Sequence, residues 1–206
     1  MNKTIILMAR MSLVLAVTAL ATASTASADV ITAWTYPTGE QKIKATPTAG
    51  VGAQALVGGA TYTGLVSQDY YCVTSNGALG SGLHWELPTS RYRNIVVSLD
   101  IRRPDGLGIG RHWTWQYDTG DGWVDAADFT FGNQIFNTFT LDLSAITSAN
   151  NNAAFAIRAT TTDMTTTAFT VHFDNVTVSG TTIPEPASMG LMAVGGLAVL
   201  LRRRKA

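Results

Sequence analysis

The chain has 206 residues and a formal net charge of zero, a length that suits one domain of ordinary size. The neutral total conceals basic ends, because residues 29–183 carry eight basic and thirteen acidic side chains, a difference of minus five. This middle part has no basic stripe, which argues against nucleic-acid binding.

Residues 1–28 have the pattern of a secretory signal peptide. A basic start precedes an apolar stretch, and small residues then lead to Ala26-Ser27-Ala28. An A-x-A sequence in this position predicts cleavage by signal peptidase after Ala28. The alternative is an N-terminal helix that belongs to the fold. Cleavage would leave an exported domain that begins at Asp29.

Residues 29–182 alternate apolar and polar side chains over short stretches, which is typical of half-buried strands. The strands predicted in this way cover residues 30–36, 70–74, 83–87, 94–101, 112–118, 137–144, 153–160 and 168–180. In the last of them the apolar positions change from odd to even near Asp174-Asn175, which predicts a β-bulge there. Turn formers separate the strands at 103–106, 119–122 and 150–152, and the segments 49–59 and 76–82 are predicted to be loops. The fold class is therefore all-β, an antiparallel β-sandwich.

Cys72 is the only cysteine, so an intramolecular disulfide is impossible. Tyr71 and Val73 flank it in a strand-like stretch, which favours a buried thiol over pairing between molecules.

Residues 183–206 contain an apolar run between Pro184-Glu185-Pro186 and a basic cluster, Arg202, Arg203, Arg204 and Lys205. The uncharged run of about 187–201 would span roughly 22 Å as a helix. That is short for a bilayer, and the basic stop predicts a cytoplasmic end. The alternative is a plain single-pass anchor.

These pieces in this order resemble the PEP-CTERM sorting signal of Gram-negative bacteria. The resemblance implies that a membrane-embedded exosortase recognises the tripeptide and removes the tail, in a cell that makes exopolysaccharide or biofilm. It also implies a precursor anchored in the inner membrane and a product at the cell surface or in the extracellular matrix.

The order of features in the domain has a second resemblance. The segments RNIVVSLDIRR, WTWQYDTGDGW, FTLDLSAI and FDNVTVSG follow one another as in the jelly-roll domains of exported PEP-CTERM proteins, which are similar in outline to carbohydrate-binding modules. The sandwich is therefore expected to be jelly-roll-like, between an N-terminal signal helix and a C-terminal apolar helix.

Catalytic signatures are weak in this sequence. None of His84, His112 and His172 lies in a triad context, and there is no G-x-S-x-G. His112 and His172 are expected to face solvent, opposite the apolar side of their strands. The chain is therefore predicted to be non-enzymatic. Paired carboxylates of a glycoside hydrolase stay open as an alternative.

Candidate binding residues concentrate in one stretch. Aromatic side chains that could stack on a sugar are Trp113, Trp115, Tyr117 and Trp123. Weaker candidates for sugar binding are Arg91, Tyr92 and Arg93. A stripe that alternates along one strand is usually core, so Trp123, beside a turn, is the best exposed candidate. No cofactor is predicted, although Asp118, Asp121 and Asp174 could hold a structural Ca²⁺. The alternative for Asp118–Gly122 is an ordinary hairpin turn.

Three hypotheses for function follow. The first is a non-enzymatic protein of the cell surface or matrix that binds or organises polysaccharide. The second is a secreted hydrolase on the same scaffold, and the third is a purely architectural or adhesive surface protein. The expected partners are signal peptidase and exosortase during export, the membrane transiently, and a polysaccharide.

Overall fold

The computed structural model describes residues 27–36, 46–62, 70–104, 111–132, 134–163 and 167–184. Residues 1–26 of the predicted signal peptide, including Ala26, lie outside these ranges, whereas Ala28 lies within them. The apolar segment 187–201 and the motif residues Glu185, Pro186, Arg202, Arg203 and Arg204 also lie outside them. Within them, no helix is long and apolar enough to cross a membrane.

The described residues form strands and one short 3₁₀ helix, Thr147–Ala149. The strands, in chain order, are β1 (Asp29–Trp34), β2 (Ala49–Gly50), β3 (Ala53–Val57), β4 (Thr61–Tyr62), β5 (Tyr71–Ser75), β6 (Gly82–Glu86), β7 (Tyr92–Arg102), β8 (His112–Asp118), β9 (Trp123–Thr130), β10 (Asn137–Asp142), β11 (Ala156–Thr161) and β12 (Phe169–Thr182).

Two antiparallel sheets make up the sandwich, as the alternation predicted. The larger sheet has the order β10-β7-β12-β1-β2, and β5 pairs with β12 beside β1 while β4 pairs with β5. The smaller sheet has the order β3-β6-β11-β8-β9. All eight stretches predicted as strands coincide with strands of the structure to within a few residues at their ends.

The core lies between the sheets and is rich in aromatic side chains. Phe173 of the larger sheet contacts Trp113 and Trp85 of the smaller one, with ring centroids 5.4 and 6.4 Å apart. Trp34, Trp85, Trp113 and Trp115 are each at most 1% exposed. Each large aromatic ring buries roughly 150–250 Å², so these four tryptophans are a main source of the sandwich's stability.

The predicted bulge is present in β12. The register between β12 and β7 shifts between Asp174 and Thr177, and Asn175 has a φ of 48°. Asparagine tolerates this left-handed conformation better than most residues. The extra residue returns Val176 to the core face, as Phe173 is before it.

The segment 49–59 is not a loop, contrary to prediction, because it contains β2 and β3. Although its sequence is rich in Gly and Ala, residues 53–57 form the strand β3, which pairs with β6. The inward residue of β3 is polar: Gln54 Oε1 accepts hydrogen bonds from the Tyr36 hydroxyl at 2.5 Å and from Trp85 Nε1 at 2.8 Å. The buried Gln54 oxygen thus has two donors, whereas Gln54 Nε2 is buried and has no hydrogen-bond partner among the described residues.

The expectation for His172 was also wrong. His172 is only 5% exposed, because the Tyr70 ring stacks on it with centroids 3.9 Å apart. Alternation placed it correctly on the outer face of β12, but Tyr70 from a neighbouring segment covers that face. His112 is exposed, as expected, and Cys72 is buried.

Candidate functional site

The outer face of the smaller sheet carries a groove that crosses all five strands. One row of paired residues forms its floor and end wall: Ala53, Glu86, Ala156, Asp118 and Trp123. The cavity above this row has a volume of about 590 Å³. The two alanines of this row are small and leave space between the larger side chains, so the outer face is concave here.

Residues of the next row along the strands contact Trp123. Arg158 on β11 lies against the Trp123 ring, with its guanidinium carbon 4.2 Å from the ring centroid. Arg158 Nε donates to Gln116 Oε1 at 2.5 Å, and Gln116 Nε2 donates to Asp125 Oδ1 at 2.6 Å. This chain of hydrogen bonds fixes the guanidinium, and the cation fixes the indole ring.

His84 completes this arrangement from β6. Its ring makes a T-shaped contact with Trp123, with centroids 5.1 Å apart, and it lines the groove. Within the described part of the chain, His84 Nε2 is buried and has no hydrogen-bond partner. Burial lowers the pKa of His84 below its ordinary value, and nearby Arg158 adds to this effect, whereas Glu86 and Asp118 oppose it. The imidazole is therefore kept neutral, so that one ring nitrogen can donate a hydrogen bond and the other can accept one.

A smaller depression of about 350 Å³ continues the outer face toward the opposite end of the strands. Threonine hydroxyls at Thr114 and Thr160 line it, together with Leu79 and Gly80. Arg158 and Gln116 lie between the two depressions. The outer face therefore carries one aromatic side chain, Trp123, with polar side chains on either side.

The four aromatic candidates do not lie together. Trp113 and Trp115 are 0% and 1% exposed and belong to the core, so neither reaches a ligand on the surface. Tyr117 points to the same inner face and packs against the core. Trp123 pairs with Asp118, an outward position, because the tight turn between them reverses the chain. Trp123 is thus the single member of this set on the outer face, and it is partly exposed.

The three aspartates proposed for calcium are not brought together either. Asp118 Oδ1 accepts from the backbone N–H groups of Gly120 and Gly122 at 2.7 and 3.0 Å, which caps the turn between β8 and β9. Asp121 is exposed in this turn, and Asp174 lies on the other sheet. Among the residues that the structure describes, no three His, Cys, Asp or Glu side chains are grouped so that they could hold a metal ion.

Sequence reasoning missed two residues that contact Trp123, Arg158 and His84. Strand alternation can place Arg158 on the face opposite Ile157, and His84 opposite Trp85. What it could not supply was the strand order that makes β6, β11 and β8 neighbours. Of the sorting residues, Pro184 is described and exposed, two residues after the end of β12.

Comparisons with known proteins found matches to the C-terminal tail and to the sandwich domain. Residues 182–205 match the family model of the PEP-CTERM protein-sorting motif, which indicates an exported precursor processed by an exosortase. A comparison with curated proteins finds no match.

Solved structures that align with this fold include carbohydrate-binding modules. The xylan-binding domain CBM22-1 of Paenibacillus barcinonensis Xyn10C aligns with a TM-score of 0.54 and 11% identity, over 78% of this chain and 100% of that one. Its CBM22-2 domain gives 0.52 and 12%, over 73% and 99%. The CBM22-1-GH10 modules of Clostridium thermocellum xylanase 10B, complexed with xylohexaose, give 0.54 and 11%, over 76% of this chain but only 29% of that longer one.

At such low identity these likenesses concern the fold. The chain therefore carries a PEP-CTERM protein-sorting motif behind a β-sandwich that has the jelly-roll fold of carbohydrate-binding modules.

Proposed function

We propose that this protein is an exported, non-enzymatic polysaccharide-binding protein whose ligand lies in the groove over Glu86, Ala156 and Asp118. One observation carries the proposal: Trp123 lies partly exposed at the groove, supported by Arg158 at 4.2 Å. An aromatic ring held in this way offers a rigid apolar surface to the apolar face of a pyranose ring.

The polar groups around Trp123 suit the hydroxyls of a sugar. Glu86 and Asp118 carry acceptor oxygens at the floor of the groove, and the neutral ring of His84, whose Nε2 is buried, lines it. Two carboxylates in one groove repel uronic acids and sulfated sugars, so the expected ligand is a neutral glycan.

The test is binding of the soluble domain, residues 29–182, to a panel of neutral and acidic polysaccharides by affinity electrophoresis and calorimetry. Trp123→Ala is expected to weaken binding at least tenfold, since a stacking aromatic is a common binding hot spot. Val124→Ala is the matched control, because Val124 is the next residue and is 47% exposed. Equal loss in both variants, or no binding by the parent domain, would contradict the proposal.

A hydrolase on this scaffold is the second candidate, because Glu86 and Asp118 line the same groove. They stand on β6 and β8 with β11 between them, so their Cα atoms are about 10 Å apart. Inverting glycosidases place two carboxyl groups roughly 6.5–9.5 Å apart. Asp118 already caps a turn, which favours a structural role. Release of reducing ends from a bound glycan, abolished by Glu86→Gln, would establish hydrolysis.

The same proposal extends to the ends of the chain. Residues 1–28 are removed as a signal peptide, and the exosortase removes the tail after it has anchored the precursor, which delivers the sandwich domain to the cell surface or matrix. The mass of the protein recovered from producing cells tests both cuts. A product that retains Arg202–Ala206 would contradict tail removal.

A further inference from the structure

Both ends of the sandwich domain emerge at the same pole. Asp29, the first residue of β1, pairs with Gly180 near the end of β12. Thr182 Oγ1 also contacts Asp29 Oδ2 at 3.5 Å. The last backbone hydrogen bond of the domain is donated by Ile183 to the Arg91 carbonyl at 2.7 Å.

This pole is continuous with two loops that connect the sheets, residues 87–91 between β6 and β7 and residues 143–155 between β10 and β11. Arg91 N–H donates to Asn151 Oδ1 at 2.8 Å, and Asn151 N–H donates to the Tyr92 carbonyl at 2.7 Å. One step further from the tail, Thr89 N–H donates to the Asn152 carbonyl at 2.8 Å. The hydroxyl of Thr89, a fully buried residue, also contacts the Ala149 carbonyl at 2.6 Å. The two loops are thus held together as one rigid unit.

The same two loops form the rim of the groove. Leu87 N–H donates to the Phe155 carbonyl at 3.0 Å, and Pro88 and Ala153 beside them line the groove. An unbroken series of hydrogen bonds therefore links the exit of the sorting tail to the wall of the candidate binding site. The smaller depression at Leu79 lies toward the other end of the strands, about five residues or ~17 Å away along β11.

The connection between this pole and the apolar segment of the tail is short. Four residue steps separate Ile183 from Ala187, where the uncharged apolar segment begins. A fully extended chain covers at most about 14 Å in four residues. Two of the intervening residues are prolines, which restrict the chain further.

We infer that the pole formed by Arg91, Asn151 and Ile183 faces the lipid surface as long as the sorting tail is uncut. The rim at Pro88 and Ala153 then lies next to the membrane, so the anchor restricts access of a long polysaccharide to the groove, and exosortase cleavage releases it. The restriction of the groove rests on the proposed glycan binding, whereas the orientation of the pole does not.

The orientation is tested with fluorophores on the full chain that retains its tail, reconstituted in vesicles. The single native thiol, Cys72, is buried, so a new exposed cysteine is labelled selectively, with the parent chain as the blank. Ala153→Cys reports on the rim and Leu79→Cys on the far end, and both positions are exposed. With a quencher on the lipid headgroups, the label at 153 is expected to be quenched at least threefold more than the label at 79. Equal quenching, or stronger quenching at 79, would overturn the orientation.

A linker variant is the matched control. Twenty Gly/Ser residues inserted between Ile183 and Pro184 keep the tail intact and add a span of about 25 Å. The difference between the two labels is expected to disappear. A difference that persists with the linker would mean that the tether does not cause the orientation and would overturn the inference. Unchanged melting temperatures of the labelled variants exclude misfolding as the cause of a result.

The consequence for the groove is tested by polysaccharide binding to the same vesicles. The linker variant and the tail-free protein are expected to bind a long glycan several-fold more tightly than the parent chain. Equal affinity in all three would overturn the restriction. If the tail-free protein binds no glycan at all, the proposed function fails, and the labelling experiment alone then decides the orientation of the pole.

Discussion

The two outer faces of the sandwich carry the same three kinds of side chain in different surroundings. On the smaller sheet, Trp123 is combined with Arg158 and His84. On the larger sheet, Tyr70 stacks on His172 at 3.9 Å, and the Arg102 guanidinium carbon lies 4.7 Å from the Tyr70 ring centroid. We call these the open triad (Trp123, Arg158, His84) and the closed triad (Tyr70, Arg102, His172).

The surroundings decide what each triad can do. In the closed triad, Arg102 is also covered by Phe136 at 4.5 Å and donates from Nε to His172 Nδ1 at 3.2 Å. In the open triad, small residues beside Trp123 leave a cavity of about 590 Å³. An aromatic ring with an arginine and a histidine is therefore not in itself a binding site. What distinguishes a site is unfilled space next to the ring.

The largest effect is expected from breaking the closed triad. Tyr70→Ala removes a ring that is 8% exposed, and loss of a buried aromatic side chain lowers the free energy of unfolding by about 3 kcal/mol. Urea denaturation measures this change. Tyr70→Phe, which keeps the ring, is expected to retain most of the stability. Polysaccharide binding should be unchanged in both variants, and a loss of binding without a loss of stability would make the closed triad a ligand site.

Replacing the arginine of each triad tests the difference between the open and the closed triad. Arg158→Met removes the cation beneath Trp123, and its expected cost in glycan affinity is about threefold to tenfold, the size of a cation–π contribution of ~0.7–1.4 kcal/mol. Stability should change by less than about 1 kcal/mol, as is usual for a partly exposed site. Arg102→Met in the closed triad is the control, for which the reverse is expected: lower stability and unchanged affinity. The same effect from both variants would refute the distinction.

A smaller effect concerns pH and the histidine of the open triad. Burial lowers the pKa of His84 in the folded protein, whereas the unfolded chain has the ordinary value of about 6.5. Between these two values the unfolded state binds more protons, so stability rises with pH. The contribution of His84 is fully present above pH of about 6.5 and is lost as pH falls through the lowered pKa.

Stability is therefore expected to fall less between pH 7.5 and 5 in His84→Gln than in the parent protein. Denaturation curves at both pH values measure this difference. The parent protein, denatured at the same two pH values, is the reference. A steeper loss of stability in His84→Gln would mean that the burial of the imidazole is not the dominant effect.

The smallest effect is expected at the bulge of the larger sheet. Asn175→Gly relieves a φ of 48° but removes the hydrogen bond from Asn175 Nδ2 to Asp100 Oδ2 at 2.8 Å. The two contributions oppose each other, so the free energy of unfolding is expected to change by less than about 0.5 kcal/mol. Thermal denaturation measures the change, and glycan affinity should stay constant because the groove lies on the other sheet.

Much of the fold could be predicted from the period of the sequence. Val97, Leu99 and Ile101 alternate with polar residues, and all three are fully buried on β7. The change of face near Asp174 predicted a bulge that the structure contains. These features depend only on the two-residue period of a strand and on the need to keep one face in the core.

Strands without such a period were missed. Trp123–Thr130 forms the edge strand β9, which is mostly exposed, so its apolar residues need not alternate. It carries Asp125 and Asp128, and charged side chains on an edge strand discourage pairing with other chains. β3 was missed for a different reason, because its inward residue is Gln54.

The sequence alone therefore determined the class of fold, the inward faces of the regular strands and the sorting motif, since each of these is written in consecutive residues. Only the tertiary structure decided which tryptophan meets solvent and what stands beside it. Trp115 and Trp123 are the same residue type eight positions apart, but the turn at Gly120–Gly122 puts them on opposite faces. Strand order, which follows from how two whole sheets bury their apolar faces together, then brings Arg158 and His84 under one of them.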